Sequence, residues 1–389
     1  MGKTQVAIDG KRFLINGRPT YEGREWRGHS IEGLLMNARM VQATFDDENP
    51  LTLGLWKYPD IDAWDPERNT DEFVAMLPEY RAHGLLAVTL NLQGGAPVGY
   101  YRPDRLDDIL RPLPWEVQTL VKNQVYGPLA NAQPWHNSAL DEEGRLKAPY
   151  LRRLARILDR LDDLGMVAIL GVYYFGQDER LRDKWAVRRG LEQAVTWVLE
   201  RGYANVLLEV NNETNVRRYE HQLLQPEHVH ELIAQAKATT LDGRRLLVST
   251  SYGGGRVPDE NVAAVADFLL LHGNGVRDPA RITEMVAQTR ALEAYRAHPM
   301  PILFNEDDHF AFDQPRNNMV AAVESYASWG FFDGGASSGG GGPREWAIAH
   351  GNYRDGYQLV PVNWAINTPT KQGFFRLLRE ITGGVASGR

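Results

Sequence analysis

Glu213 and Glu306 are the side chains best placed to do chemistry. Glu213 ends the run LLEVNNE and Glu306 ends PILFNE, each at the tip of an apolar stretch. Two carboxyl groups can share the work of opening a glycosidic acetal. One, protonated, gives its proton to the departing oxygen; the other, ionised, attacks the anomeric carbon, and retention needs them about 5–5.5 Å apart. Glu213 then needs a raised pKa, supplied by apolar surroundings and the charge of Glu306. Glu306 needs hydrogen-bond or ionic donors that keep it ionised.

Such a pair must be held by a scaffold, and the sequence supplies one. Apolar runs that read as buried parallel strands are Pro19–Arg24, Leu85–Leu92, Val167–Tyr174, Val206–Asn212, Leu246–Ser251, Phe268–His272, Pro301–Glu306 and Gly330–Asp333. Amphipathic helices alternate with them. In Tyr150–Gly165, Leu154, Ile157, Leu158 and Leu161 recur at helical spacing, and Gly165 ends the helix. Asn69 or Thr70 is the expected cap of the helix before the second strand. The repeat predicts a single (β/α)8 TIM barrel over 19–389, preceded by an N-terminal β-hairpin over 1–18 that turns at Asp9-Gly10. No Gly-x-Gly-x-x-Gly follows the first strand, which argues against a dinucleotide fold. Long loops follow strands two and eight, Gly94–Ala148 and Gly334–Asn367, on the face where barrel enzymes keep their sites.

Composition narrows the classes. The chain has 389 residues, 43% of them hydrophobic, a net charge of −7 and no cysteine. Zinc–thiolate sites and disulfides are thereby excluded, and a nucleic-acid partner is not expected of an acidic chain. No segment is apolar enough for a membrane partner, and no signal peptide is visible. The default expectation is cytoplasmic, or secreted or periplasmic where a signal has been removed. Oligomeric state is left open. Trp115, Trp135, Trp346 and Trp364 lie in loops, where tryptophans either lid a core or stack on sugar rings.

With Asn212-Glu213 on the fourth strand and Glu306 on the seventh, the chain resembles the clan of (β/α)8 retaining glycoside hydrolases, the cellulase and β-galactosidase group that includes glycoside hydrolase family 5. The opening FLINGRP and the LLLHG segment ending in His272 resemble the same family. The resemblance implies double displacement on a carbohydrate substrate, with Glu213 as acid/base, Glu306 as nucleophile, and no cofactor or metal. It implies that Asn212 binds the sugar 2-hydroxyl and that a first-strand arginine, Arg24 or Arg27, faces Glu306. The alternative for both arginines is a surface ion pair with Glu22 or Glu25. Further substrate-binding candidates are Gln93, His136, Tyr173, Tyr252, His272, Asn274 and Trp364. The chain departs from the family where His272-Gly273-Asn274 stands for His-x-Tyr, and where the eighth strand offers Phe332 and Asp333 in place of tryptophan. Tyr252, Tyr173 or Asn274 stands in for the tyrosine, and Trp364 for the tryptophan.

Asp307, Asp308 and His309 read either as metal ligands or, preferably, as a solvated loop or support for the nucleophile. Ser337–Pro343 reads as a glycine-rich lid. Two rival functions share the scaffold. A carbohydrate-binding pseudoenzyme would keep the polar crown without chemistry. A metal-dependent barrel hydrolase would need His-x-His on the first strand, where the sequence has GREWRGH.

Overall fold

The computed structural model describes residues 2–95, 97, 110–111, 113–126, 133–216, 218–334 and 356–384. The chain opens with an antiparallel sheet, β1 Val6–Asp9, β2 Arg12–Ile15 and β3 Arg18–Pro19, followed by a small ribbon of β4 Glu25–Trp26 and β5 His29–Ser30. Eight strands then follow. They are β6 Asn37–Arg39, β7 Ala87–Asn91, β8 Val167–Tyr173, β9 Val206–Asn211, β10 Leu247–Ser249, β11 Leu269–His272, β12 Ile302–Glu306 and β13 Gly330–Phe331.

Six of the eight form one parallel sheet in the order β10-β9-β8-β7-β6-β13, and β11 pairs with β12 in parallel. Parallel bridges Leu303–Ser328 and Asp307–Phe331 join β12 to β13. At the remaining seam, the Asp267 N–H donates to the Val248 carbonyl (3.0 Å) and the Val248 N–H to the Asp267 carboxylate (2.9 Å).

The expected first strand is corrected. Pro19 ends the antiparallel sheet, and Tyr21 and Gly23 have φ of 49° and 68°, which no strand accommodates. The strand in that place is Asn37–Arg39. It lies in LLMNARM, whose Leu, Met, Ala and Arg favour helix, so local propensity hides it.

The helices are α1 Pro66–Ala82, α2 Trp115–Tyr126, α3 Ala148–Leu164, α4 Lys184–Glu200, α5 Val229–Ala238, α6 Glu260–Ala263, α7 Pro279–Ala291, α8 Glu293–Ala297, α9 Asn318–Glu324 and α10 Pro369–Thr382. In α3 the apolar stripe Leu154, Ile157, Leu158 and Leu161 is buried, and Gly165 closes it at φ 67°. The start of α1 falls earlier than expected. Asp65 caps it by accepting the Arg68 N–H with Pro66 in the first turn, while Asn69 and Thr70 donate instead to the Gln42 and Ala43 carbonyls. None of the helices among the described residues is long and apolar enough to cross a membrane.

Between the strands, side chains sort by height. Ala87, Val167, Ile169, Leu207, Phe268, Leu270 and Leu303 form an apolar plug near the strand starts, closed from outside by Val6 and Phe13 of the terminal sheet. Higher up, the inner positions turn polar, and the strand ends carry the charged groups.

Candidate active site

Glu306 is the last residue of β12 and almost fully buried. Glu213 follows β9 at a sharp turn with φ 53°, a left-handed conformation unusual for a residue with a side chain. Its N–H donates to Ser251 Oγ (2.9 Å) and the Thr214 N–H donates to the Ser251 carbonyl (2.9 Å), so the end of β10 fixes the turn. From opposite sides of the mouth the two carboxylates converge on the segment that follows β11. His272 Nδ1 lies 3.0 Å from Glu213 Oε1 and 3.5 Å from Glu306 Oε2. Asn274 Nδ2 donates to both, at 3.4 Å to Glu213 Oε1 and 3.1 Å to Glu306 Oε1. One oxygen from each glutamate and a His272 nitrogen all lie within 4.8 Å of one another.

The cation beside Glu306 is Arg39, at the end of β6. Its Nε is 3.0 Å from Glu306 Oε2, and the two side chains are only 2% and 5% exposed. Sequence reasoning missed Arg39 because the strand that carries it was missed. Arg24 instead donates to the Ile381 and Glu380 carbonyls at the end of α10, and Arg27 stacks on Trp26 and faces Glu380. The alternative partners Glu22 and Glu25 do not serve either: Glu22 pairs with Arg18.

The pairing of Arg39 with Glu306 carries a stability prediction. Arg39→Met leaves a buried carboxylate without its cation and should lower the unfolding free energy by about 3 kcal/mol in denaturant titrations. An unchanged midpoint would show that the pair does not hold the fold.

The shifts of the pair run against expectation. Burial pushes Glu306 up, opposed by Arg39 and His272. Burial acts the same way on Glu213, but the hydrogen bond and charge of His272, with help from Asn274 and Arg39, outweigh it and hold Glu213 below the usual carboxylate range. On His272, burial opposes protonation, yet Glu306 and Glu213 together raise its pKa. The two shifts run in the direction of an ion pair between His272 and Glu213.

Other expected residues take different places. Tyr173 donates outward to the Val187 carbonyl of α4; Tyr174, one residue on, is the tyrosine that feels Arg39, Glu306 and Glu213. Tyr252 donates to Asp259 (3.2 Å) and is buried. Trp364 is also buried, its indole N–H donating to the Asn69 carbonyl (3.1 Å) and its ring against Phe73 and Tyr357. Gln93 ties two loops through Ser138 and the Tyr174 N–H. His136 is fixed through its backbone N–H on Asp47 (2.8 Å), with Arg180, Glu48 and Lys147 as its charged surroundings. Asn212 is buried, and among the described residues its Oδ1 has no hydrogen-bond partner. Trp135 is buried against Trp56, and Trp115 is exposed on α2. Trp346 and the Ser337–Pro343 segment lie outside the described residues.

Asp307 and Asp308 brace the loop that carries His272 and Asn274. Asp308 accepts the Gly275 N–H (2.7 Å), and the Gly273 N–H donates to the Glu306 carbonyl (2.7 Å). A side chain at Gly273 would run into the Asp307 carboxylate, so only glycine lets the loop come this close. Asp307 itself accepts from Trp329 Nε1 (2.8 Å) and Asn318 Nδ2 (3.0 Å), yet burial pushes it up to about 8.

A carboxyl that holds its proton more tightly folded than unfolded stabilises the fold at low pH. That contribution is lost as pH rises from about 4 to about 8. Asp307→Asn, which cannot ionise, should lose less thermal stability than the parent over that window. Parallel melting curves across pH for the two proteins would refute this.

A cation could use the spacing of Glu213, His272 and Glu306. Two features oppose it. Arg39 already places a permanent positive charge on the Glu306 oxygen, and among the described residues His272 Nε2 has no acceptor of the kind that orients a metal-bound imidazole.

No family model matches the sequence, and no curated protein matches it. Solved structures do. A glycoside hydrolase family 5 mannosidase from Rhizomucor miehei superposes with a TM-score of 0.50 at 12% identity, over 98% of this chain and 97% of that one. A GH5-4 broad specificity endoglucanase from Clostridium longisporum gives 0.46 at 10% identity, over 90% and 97%. A glycoside hydrolase family 5 protein from Bacteroides vulgatus gives 0.47 at 11%, over 85% of this chain but only 62% of its own length. The likeness to the mannosidase is one of fold: the mixed α/β architecture is shared with family 5 glycoside hydrolases.

Proposed function

We propose that the chain is a retaining glycoside hydrolase on a closed (β/α)8 barrel, acting by double displacement with Glu213 as acid/base and Glu306 as nucleophile. The observation that carries this reading is the approach of the two carboxylates, with oxygens inside 4.8 Å. That approach suits direct attack by a carboxylate better than inversion, which sets carboxyls about 6.5–9.5 Å apart.

In the first step Glu306 attacks the anomeric carbon while Glu213 protonates the leaving oxygen. The proton comes along the 3.0 Å bond from His272 Nδ1 to Glu213, which leaves a neutral imidazole and a neutral acid. Arg39 and the Asn274 amide keep Glu306 ionised and aimed. Asn212, with a free side-chain oxygen beside Glu213, binds a hydroxyl of the sugar. In the second step water attacks the glycosyl–Glu306 ester, Glu213 takes its proton, and the proton returns to the His272 bond.

Proton NMR of the first product formed from a panel of aryl glycosides tests the reading. Retention of anomeric configuration supports it; a first-formed product of opposite configuration contradicts it.

A further inference from the structure

Four consecutive residues in the loop after β9 each grip the end of β8 or the loop beyond it. Arg218 lies over the Phe175 ring, 5.0 Å from its centroid. The Tyr219 hydroxyl donates to the Asn212 carbonyl and reaches the Tyr173 carbonyl at 3.4 Å. The Glu220 N–H donates to Asp178 Oδ2 (2.9 Å), and so does the His221 N–H (3.4 Å). His221 Nε2 lies 3.1 Å from both the Asp178 and the Leu181 carbonyls. Asp178 is fully buried, so these bonds form in a medium of low dielectric, where they are strong. The far end of the loop is tied back as well. The Leu224 carbonyl accepts from Asn211 Nδ2 (2.9 Å) and Thr214 Oγ1 (2.7 Å), and Gln225 Nε2 donates to the Tyr219 carbonyl (3.1 Å).

Tyr219 carries this rigidity to one peptide unit. The peptide between Asn212 and Glu213 is pinned at both ends, its carbonyl by the Tyr219 hydroxyl and its N–H by Ser251 Oγ (2.9 Å). It leads into the left-handed φ of 53° at Glu213. A residue with a side chain stays in that region only while its surroundings hold it there. Freed at the carbonyl, the peptide can rotate toward extended backbone, and the Cβ of Glu213 swings with it. The carboxyl then leaves its place beside His272 and Asn274.

We propose that Tyr219 is a positioning residue for the catalytic acid: its hydroxyl, held by the clasp on the β8 loop, pins the Asn212 carbonyl and so fixes the peptide that aims Glu213. The proposal rests on reading Glu213 as the acid.

The test uses the full-length protein and the change Tyr219→Phe, which removes the hydroxyl and keeps the ring edge-on to Phe175, centroids 6.0 Å apart. The readout is kcat/KM, which ends at the first irreversible step, on an alkyl and a dinitrophenyl glycoside of the same sugar. A misaimed acid costs only the substrate that needs its proton. The alkyl glycoside should lose about 30-fold and the dinitrophenyl glycoside no more than about threefold. A tyrosine that merely packs, or a variant that is partly unfolded, lowers both rates by one common factor.

Equal losses, or parental rates on both substrates, overturn the proposal. Should Tyr219→Phe fail to fold, Asp178→Ala decides, because it frees residues 220 and 221 while the Tyr219 hydroxyl remains. The alkyl rate should then fall at least about threefold further than the dinitrophenyl rate, and equal losses or parental rates again overturn the proposal. Glu213→Ala, measured in parallel, separates this role from the function it rests on. Selectivity in Glu213→Ala without selectivity in Tyr219→Phe sinks the role of Tyr219 alone. No selectivity in Glu213→Ala, or a parent that cleaves neither substrate, removes the acid itself and this proposal with it.

Discussion

Glu306→Gln should lose at least about 10⁴-fold in kcat on every glycoside the parent cleaves, because an amide cannot attack the anomeric carbon. The protein should remain folded. Gln keeps the shape of the side chain and an oxygen for Asn274 to donate to, and Arg39 keeps the nearby charges of Glu209 and Glu213. Circular dichroism and a cooperative melting transition check the fold, and steady-state rates check the chemistry. Glu306→Ala adds a second arm. It opens a hole at the anomeric carbon that azide can fill, and the glycosyl azide formed should have the configuration opposite to the substrate. Near-parental turnover in either variant would remove Glu306 from the nucleophile's role.

The second large effect is selective. Glu213→Ala should cut the rate on alkyl glycosides by about 10³-fold and leave dinitrophenyl glycosides within about tenfold, since a good leaving group needs little protonation. The basic limb of the pH profile should flatten for the dinitrophenyl substrate, because loss of the acid's proton no longer limits the rate. Equal losses on good and poor leaving groups would mean that Glu213 shapes the site without donating a proton. The variant also tests His272. With its 3.0 Å partner gone, the imidazole loses one of the two carboxylates that raise its pKa, and its titration midpoint should fall.

Much of this architecture was legible in the sequence because parallel strands buried on both faces are continuous apolar runs. VAILGVY and VLLEVN could hardly be anything else, and their polar ends mark the mouth. The glutamates were legible for the same reason: each ends such a run. What escaped was short or irregular. Asn37–Arg39 is three residues of helix-favouring composition, and its strand character comes from pairing with β7 and β13, which no local signal encodes. With it went Arg39, the cation of the site. Tyr173 was expected at the mouth, but simple alternation along β8 fails near its end: Gly171 faces inward beside Asn91, while Tyr173, two residues on, points out to α4. Trp364 reads as a loop aromatic, and contacts with α1 more than 280 residues away help make it core. Asn274 was legible only as one of three candidates, with Tyr173 and Tyr252, for a place beside the glutamates. That its amide spans both carboxylates is a matter of distances between strands nine, eleven and twelve, and those exist only in the folded chain.

The pair Glu213 and Glu306 is the central claim, and its most direct test is to trap the intermediate. The protein is incubated with a panel of 2-deoxy-2-fluoro glycosyl fluorides, and its intact mass and proteolytic peptides are measured. The expected result is one sugar per chain, on the peptide that contains PILFNE, with the ester on Glu306 and slow release when an acceptor sugar is added. A label that maps to another residue, or an active enzyme that takes no label from a matching fluoro-sugar, would contradict it.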